Sequence, residues 1–241
     1  MNEIYFVMLI NMKSLTAIVP FYNEENYIEE SVTRLLNIDV IDKIILVDDA
    51  STDKSSDIAK NLSKSYENII YRGLPVNSGK GSAINYIKSE IKTTHVIIHD
   101  ADLEYFPEDI IEMFELAKKN ENSLILGSRF KGSKVRKNIY KRTFYANKFM
   151  SFFFSIVHFY KVSDIATCYK LFPQNFFKSV SLVEKGFSIE IELVSKFLKY
   201  NKSIFESPIK YEGRSYDQGK KIKLIDGIYY LVNTIRYRFS N

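Results

Sequence analysis

Short apolar runs alternate with segments of helical spacing along the first half of the chain. The apolar runs are continuous, which is typical of strands buried on both faces. The segments between them place apolar residues three and four positions apart, as on one face of a helix. This alternation predicts a Rossmann-like α/β fold, a mostly parallel sheet with helices on both faces. The predicted strands cover residues 15–20, 43–47, 69–71, 95–99 and 124–126, and the predicted helices cover 24–36, 79–87, 107–117 and a segment that runs to 62 after a cap at 51–53.

Length and composition favour one folded domain. The chain has 241 residues, 46% hydrophobic and 26% charged, which excludes a disordered chain. No linker or repeat divides it, so residues 15–241 are predicted to form one domain after an extension at residues 1–14. No apolar run of 18 residues and no basic leader is present, so neither a transmembrane helix nor a signal peptide is predicted. The single cysteine, Cys168, allows no internal disulfide and favours a reducing, cytoplasmic compartment.

Polar residues follow three of the predicted strands, at residues 20–25, 48–53 and 100–104. The carboxyl ends of parallel strands meet at one edge of a sheet, which is where such folds bind ligands. In extended backbone Asp100 and Asp102 point the same way, and Glu104 supplies a further oxygen. Carboxylates gathered there repel one another unless a cation lies among them. A divalent cation site is therefore one interpretation, and a solvated acidic turn is the other.

A glycine-rich segment, Gly79-Lys80-Gly81, resembles two phosphate-binding motifs without matching either. Five residues, not four, separate Gly73 from Gly79, and Lys80 is followed by glycine, so it is not a Walker A loop. It does not follow the first strand, so it is not a dinucleotide fingerprint. An anion-binding helix start and a plain loop-to-helix turn both remain open.

A basic, aromatic stretch begins at Arg129. Residues 129–162 contain nine Lys or Arg, ten Phe or Tyr and no acidic residue, and a second such segment covers 220–238. Cationic side chains interleaved with aromatic rings suit a helix at a membrane interface. A basic surface helix with a Phe-rich core face fits about equally well, and a nucleic-acid-binding arm fits less well.

Taken together, these motifs resemble family-2 inverting glycosyltransferases of the GT-A fold, and within them the polyprenyl-phosphate branch typified by dolichyl-phosphate mannosyltransferases. The resemblance extends from residue 15 to the C-terminus and keeps the motifs in order. The motifs are Val19-Pro-Phe-Tyr-Asn-Glu-Glu25, Val47-Asp-Asp-Ala-Ser-Thr-Asp53, Asn77-Ser-Gly-Lys-Gly-Ser-Ala83, His99-Asp-Ala-Asp-Leu-Glu104, Gly127-Ser-Arg-Phe130, Ser163-Asp-Ile-Ala-Thr-Cys-Tyr-Lys170, Gly186-Phe-Ser-Ile-Glu-Ile-Glu192 and Arg214 followed by Gly219-Lys-Lys221.

The resemblance implies a nucleotide-sugar site and a metal site. Mg²⁺ or Mn²⁺ would be held by Asp100 and Asp102, with Glu104 as a further ligand. Asp102, Arg129, Arg214 and Lys220 are the expected catalytic residues, the last three through contacts with phosphates. His95, His99, His158 and Cys168 are expected to be structural. The expected nucleotide-sugar-binding residues are Pro20, Tyr22, Glu24, Val47, Asp49, Lys80, Asp100, Ala101 and Arg129.

The activity that the resemblance implies is transfer of a hexose from a GDP-mannose or UDP-glucose type donor to a dolichyl or undecaprenyl phosphate. Such an acceptor is already anionic and needs positioning more than a base. The lipid substrate favours the interface reading, with 129–162 as a pair of interface helices. The protein would then be peripheral on the cytoplasmic face of the membrane, or recruited by a membrane-protein partner. Nucleic acid is not an expected partner.

Three alternatives stay open at this point. The nearest is a family-2 enzyme of surface-polysaccharide assembly that glycosylates a sugar hydroxyl, a reaction that wants a carboxylate base. Glu190 or Glu192 would supply that base. The second is a sugar nucleotidyltransferase, which has no need of a basic aromatic stretch. The third is a non-catalytic membrane-binding module, against which the Asp100 and Asp102 pair argues.

Overall fold

The computed structural model describes residues 13–138, 140–214 and 224–240. Nine strands and eight α-helices are assigned within these ranges. The strands are β1 (Leu15–Phe21), β2 (Lys43–Asp48), β3 (Ile69–Gly73), β4 (His95–Ile98), β5 (Leu124–Ser128), β6 (Arg136–Lys137), β7 (Lys170–Pro173), β8 (Ile204–Pro208) and β9 (Tyr211–Glu212). The helices are α1 (Ile28–Leu36), α2 (Ser55–Ser65), α3 (Lys80–Tyr86), α4 (Asp109–Lys119), α5 (Lys141–His158), α6 (Gln174–Ser179), α7 (Ile189–Tyr200) and α8 (Leu224–Phe239).

Seven strands form one sheet in the order β3-β2-β1-β4-β7-β5-β8. Every neighbouring pair is parallel except the two that involve β7, which runs antiparallel to β4 and to β5. The predicted mostly parallel sheet is therefore confirmed. Because β7 is reversed, it begins at the edge where its neighbours end, and this brings Lys170 to the same edge as the end of β4.

The core lies on both faces of this sheet. All seven residues of β1 are buried, as are all four of β4. Strands without a solvent face have no polar alternation, which explains the continuous apolar runs. Polar residues resume where the strands end, so the change from apolar to polar marks the ligand edge of the sheet.

Two predicted helix starts were wrong by a few residues. Helix α1 begins at Ile28, because residues 24–27 form a turn in which the Glu24 carbonyl accepts from the N–H groups of Tyr27 and Ile28. Helix α2 begins at Ser55, and the Asp53 carboxylate accepts from the Ser55 N–H at 2.9 Å. In both cases polar residues that could start a helix hold a turn at the sheet edge.

The stretch at 129–162 contains one described helix, α5, and not the predicted pair. Its neighbour is α8, from the second basic segment, and the same α8 also packs against α7. His158, in α5, contacts both α8 and α7: its Nε2 donates to the Thr234 carbonyl at 3.1 Å and lies 3.3 Å from Ser195 Oγ. The pair therefore consists of two helices distant in sequence. Most of the predicted extension (residues 1–12) and the start of the second segment (residues 220–223) lie outside the described residues.

The glycine-rich segment is a close-packing device at the start of α3. The N–H groups of Gly81 and Ser82 both donate to the Lys185 carbonyl, at 2.7 and 3.2 Å. A Cβ at Gly81 would lie 2.0 Å from the Glu184 carbonyl oxygen. At Gly79, where φ is +94°, a Cβ would lie 2.4 Å from the Lys185 carbonyl oxygen. The start of α3 is therefore capped by the backbone before α7, which favours the structural reading over an anion site.

We expect Gly81→Ala to lower the free energy of unfolding by about 1–3 kcal/mol, because the new methyl group overlaps backbone that cannot rotate away. Chemical denaturation measures the change. Gly186→Ala is the matched control, since no described atom lies within 4 Å of its added Cβ. Equal stability of the Gly81 variant and the unaltered protein would contradict this packing.

Candidate active site

A cavity of about 620 Å³ lies at the carboxyl ends of the central strands. Most of the predicted site residues line it, although they come from six separate segments of the chain. Their common origin is the polar residue or turn that follows a strand. The predicted residues that line the cavity are Pro20, Tyr22, Glu24, Asp49, Lys80, Asp100, Ala101, Asp102, Glu104, Arg129 and Arg214.

Two predicted residues are placed elsewhere. Val47 is fully buried in β2 and does not line the cavity, because it is a strand residue two positions before the end of the buried run. Lys220 lies outside the described residues. The roles of both stay predictions from the resemblance.

The Asp49 carboxylate organises one wall of the cavity. Its two oxygens accept from the N–H groups of Ser78 and Gly79, both at 2.7 Å. Its neighbour Asp48 accepts from the Ser51 N–H and from the Tyr71 hydroxyl. Asp49 therefore shapes this wall by tying the loop before α3 to the end of β2.

The three acidic residues after β4 have different partners. Asp102 Oδ1 accepts from the Glu104 N–H at 3.1 Å. Glu104 accepts from the Tyr211 hydroxyl at 2.5 Å and from the Arg214 N–H at 2.7 Å. Asp100 Oδ1 lies 2.7 Å from Lys80 Nζ. Among the described residues, no three His, Cys, Asp or Glu side chains are arranged as a metal-binding group, so the geometry does not bring Glu104 in as a third ligand.

The pKa values of the two aspartates in this cluster are shifted in opposite directions. Burial, then the carboxylates of Glu104 and Asp100, raise the pKa of Asp102 to about 8. For Asp100, burial opposes ionisation but the Lys80 ammonium outweighs it and lowers the pKa. A carboxyl whose pKa is raised by two neighbouring carboxylates is stabilised as an anion when a cation binds beside it. The cluster therefore fits a hard divalent cation on Asp102 and Asp100, with its other ligands from outside the protein.

Arg129 is fixed by a buried ion pair. Its Nε and Nη2 lie 2.7 and 2.8 Å from the two oxygens of Asp164, and its backbone N–H donates to the same carboxylate. The guanidinium carbon lies 5.0 Å from the centre of the Tyr211 ring. This bidentate pairing sets the plane of the guanidinium at the cavity wall.

Arg214 connects two parts of the sheet edge. Its Nη1 lies 3.0 Å from Glu24 Oε2, after β1, and its Nη2 lies 3.3 Å from Asp102 Oδ2, after β4. Its guanidinium also lies over the ring of Tyr27, with 5.0 Å to the ring centre. The Arg214 guanidinium is therefore a cationic group that the protein itself holds beside Asp102.

Comparison with known proteins decides the family. The profile of glycosyl transferase family 2 matches residues 16–181, more than half of the chain. The chain belongs to glycosyl transferase family 2. The match ends before α7 and α8, so Arg214 and the second basic helix lie beyond it.

Three curated relatives are similar in sequence to parts of this chain. A poly(ribitol-phosphate) beta-glucosyltransferase of Bacillus spizizenii is 31% identical over 54% of this chain and 21% of its own length. A dolichyl-phosphate beta-glucosyltransferase of Trichomonas vaginalis is 31% identical over 51% of this chain and 42% of its own. A dolichol-phosphate mannosyltransferase of Pyrococcus furiosus is 29% identical over 86% of this chain and 60% of its own. The alignments thus span less than two thirds of each relative.

The fold is that of solved GT-A glycosyltransferases. Glucosyl-3-phosphoglycerate synthase from Mycobacterium tuberculosis, in complex with Mn²⁺, UDP and glucosyl-3-phosphoglycerate, superposes with a TM-score of 0.71 at 16% identity. The superposition covers 94% of this chain and 80% of that structure. The predicted GT-A fold is confirmed, and at this identity the likeness concerns the fold alone.

The two carboxylates considered as bases for a hydroxyl acceptor are both engaged by lysines in this glycosyltransferase. Glu190 lies between Lys80 and Lys170 and lines the cavity. Glu192 accepts from the N–H groups of Val183 and Glu184 and pairs with Lys196, away from the cavity. Neither carboxylate is placed to take a proton from an acceptor without breaking an ion pair.

Sequence reasoning missed one face of α5. Arg142, Thr143, Ala146, Asn147 and Met150 line the cavity. They recur three and four residues apart, which places them on one side of a helix. Small and polar residues interrupt the aromatic stretch and could have indicated this cavity-lining face. The stretch was instead interpreted from its aromatic and basic residues. Tyr211 and α8 residues 226–228, 230 and 231 also line the cavity and carried no motif.

We expect Asp164→Asn to lower the free energy of unfolding by about 3–5 kcal/mol, because it leaves the buried Arg129 guanidinium without its counter-charge. Asp164 is fully buried and Arg129 is 7% exposed. Glu212→Gln is the matched control, since its contact with Lys137 is exposed and 3.9 Å long. A loss below 1 kcal/mol for the Asp164 variant, measured by denaturant unfolding, would contradict the assigned role of this pair.

Proposed function

We propose that this family-2 glycosyltransferase transfers a hexose from a nucleotide-diphosphate sugar to a polyprenyl phosphate, with inversion at the sugar carbon. One observation carries the proposal: the cavity that begins at the carboxylates ends between α5 and α8, on an exposed apolar surface. Phe149 of α5 and Ile228 of α8 both line the cavity and are more than half exposed. An acceptor with a charged head and a long apolar tail fits a cavity with this polarity.

The donor would occupy the carboxylate end. Asp100 and Asp102 would hold Mg²⁺ or Mn²⁺, which when bound stabilises the charge that grows on the diphosphate leaving group. Arg214, already held against Asp102, would add a guanidinium to the same region. The loop tied by Asp49 and the residues after β1 would bind the base and ribose.

The acceptor phosphate would lie nearer to α5. Arg142, Thr143 and Asn147 line this part of the cavity and offer one cation and two neutral hydrogen-bonding groups. A phosphate oxygen would attack the sugar carbon from the side opposite the diphosphate. The bond between that carbon and the diphosphate oxygen would break and the nucleoside diphosphate would leave, so the configuration inverts. This nucleophile is anionic near neutral pH and needs no base, which agrees with the lysine pairing of Glu190 and Glu192.

The helix pair would rest on the cytoplasmic face of a membrane, either alone or beside a membrane-protein partner. Exposed apolar residues recur at helical spacing on both helices, with Lys and Arg beside them. No helix among the described residues is long and apolar enough to cross a bilayer. The exposed apolar side chains are Tyr145, Phe149, Phe152, Ile156 and Phe159 on and after α5, and Ile225, Ile228, Tyr229, Val232, Ile235 and Phe239 on α8.

We expect the double variant Phe152→Ser, Phe159→Ser to bind anionic phospholipid vesicles at least roughly tenfold more weakly, because each phenyl ring loses apolar surface that the membrane would bury. These side chains are 63% and 83% exposed, so folding should be unaffected. Vesicle sedimentation measures the change, with Tyr66→Ser as the control for an exposed aromatic outside the helix pair. Unchanged binding of the double variant would remove the helix pair from membrane association.

Transfer of labelled sugar into organic-extractable lipid tests the activity. We expect one of GDP-mannose, UDP-glucose or UDP-N-acetylglucosamine to label polyprenyl phosphate with Mg²⁺ or Mn²⁺, and EDTA to abolish labelling. Asp102→Asn should reduce the rate by roughly a hundredfold or more, because it removes a charge from the cation site. The exposed Asp39→Asn should not change it.

The same assay tests the acceptor and the metal separately. Metal-dependent donor binding without a lipid product would replace the lipid with a hydroxyl acceptor in the proposal. Lipid labelling that survives both EDTA and Asp102→Asn would remove the metal from the proposal instead.

A further inference from the structure

A chain of four alternating charges runs from the core to the active site. Lys170 donates to one oxygen of Glu190, and Lys80 Nζ lies 2.7 Å from the other. The same Lys80 ammonium lies 2.7 Å from Asp100 Oδ1, so charges of Lys170, Glu190, Lys80 and Asp100 alternate and sum to zero. Lys170 is fully buried and also donates to the carbonyls of Ile165 and Thr167.

The partners of Lys80 occupy its hydrogen-bonding capacity. An ammonium has three N–H donors. Asp100 and Glu190 take two, and Cys168 Sγ, at 3.6 Å, lies in the direction of the third. Lys80 lines the cavity, but its ammonium points to protein groups rather than into space where a phosphate would bind.

We propose that Lys80 is a positioning residue for Asp100. In this proposal Glu190 supplies the counter-charge that allows the Lys80 ammonium to lie beside the cation site. Lys80 fixes one Asp100 oxygen at 2.7 Å, the Cys168 side chain also hydrogen-bonds this carboxylate, and together they would orient it toward the cation. Glu190 offsets the Lys80 charge, which would otherwise repel a divalent cation held by Asp100 and Asp102. This assignment rests on the proposed cation site and gives Lys80 no direct contact with the donor, unlike the expectation from the resemblance.

This row of alternating charges predicts that removing the charge of Glu190 and removing the charge of Lys80 have opposite effects on Mn²⁺ binding. Glu190→Gln leaves a net positive charge and should weaken Mn²⁺ binding by at least roughly tenfold. Lys80→Met leaves a net negative charge, so Mn²⁺ binding should be kept or strengthened. The double variant Lys80→Met, Glu190→Gln is neutral again and should regain most of the affinity that Glu190→Gln loses, which is coupling of the kind that contacting residues show.

Binding of Mn²⁺ alone, followed by electron paramagnetic resonance, is the readout, and it needs no turnover. Glu192→Gln is the matched control: it lies on the same helix, is buried and is paired with a lysine, but its carboxylate does not line the cavity. Its Mn²⁺ affinity should equal that of the unaltered protein. Equal losses in the Glu190 and Glu192 variants, or no loss in either, would overturn the assignment.

Kinetics separate positioning from direct binding and cover the case in which Glu190→Gln does not fold. Lys80→Met should lower kcat by roughly tenfold or more and leave the KM of the donor within about threefold, because the reacting geometry changes while donor contacts remain. A tenfold rise in donor KM at unchanged kcat would show that Lys80 binds the donor, and would overturn the assignment. Absence of Mn²⁺ binding in the unaltered protein would overturn the proposed cation site and this assignment with it.

Discussion

Repulsion between carboxylates is the constraint around which this active site is built. The parallel strands bring Glu24, Asp100, Asp102 and Glu104 to one edge of the sheet, where burial makes each charge costly. Each carboxylate has a cationic or hydrogen-bonding partner: Lys80 for Asp100, Arg214 for Glu24 and Asp102, and Tyr211 with the Arg214 N–H for Glu104. Burial and the neighbouring carboxylates raise the pKa of Asp102, so an added cation would stabilise its ionised form.

The partners of these carboxylates come from the part of the chain that follows the central strands. Glu190, on α7, anchors Lys80, and the backbone before α7 caps the start of α3 through the Gly79 and Gly81 contacts. The same packing places Glu190 beside Lys80, and in the proposed arrangement this pair positions Asp100. The glycines at this junction serve close approach of two backbones, a structural requirement that resembles a phosphate-binding motif when read only as sequence.

The helix pair presents the opposite physical problem. Helix α8 packs against both α5 and α7, and α5 and α8 each leave a row of large apolar side chains exposed. Large apolar side chains exposed in such number on two packed helices are costly in water, and such surfaces commonly mark a binding site for a membrane or a protein. The cavity opens on this same surface at Phe149 and Ile228, and under the proposed function one surface would receive both the membrane and the tail of the acceptor.

The sequence by itself determined the sheet, its ligand edge and the carboxylates on it, because buried parallel strands leave a continuous apolar signature that ends at the functional residues. Local patterns could not show that Lys80 donates to the Glu190 carboxylate, 110 positions away. Nor could they show that Glu104 accepts from the Tyr211 hydroxyl, 107 positions away. They also could not show that α5 pairs with α8, or that Val47 faces the core. Tertiary structure decided these points, because whether a charged side chain is free to bind a ligand depends on the counter-charges that folding brings to it from distant parts of the chain.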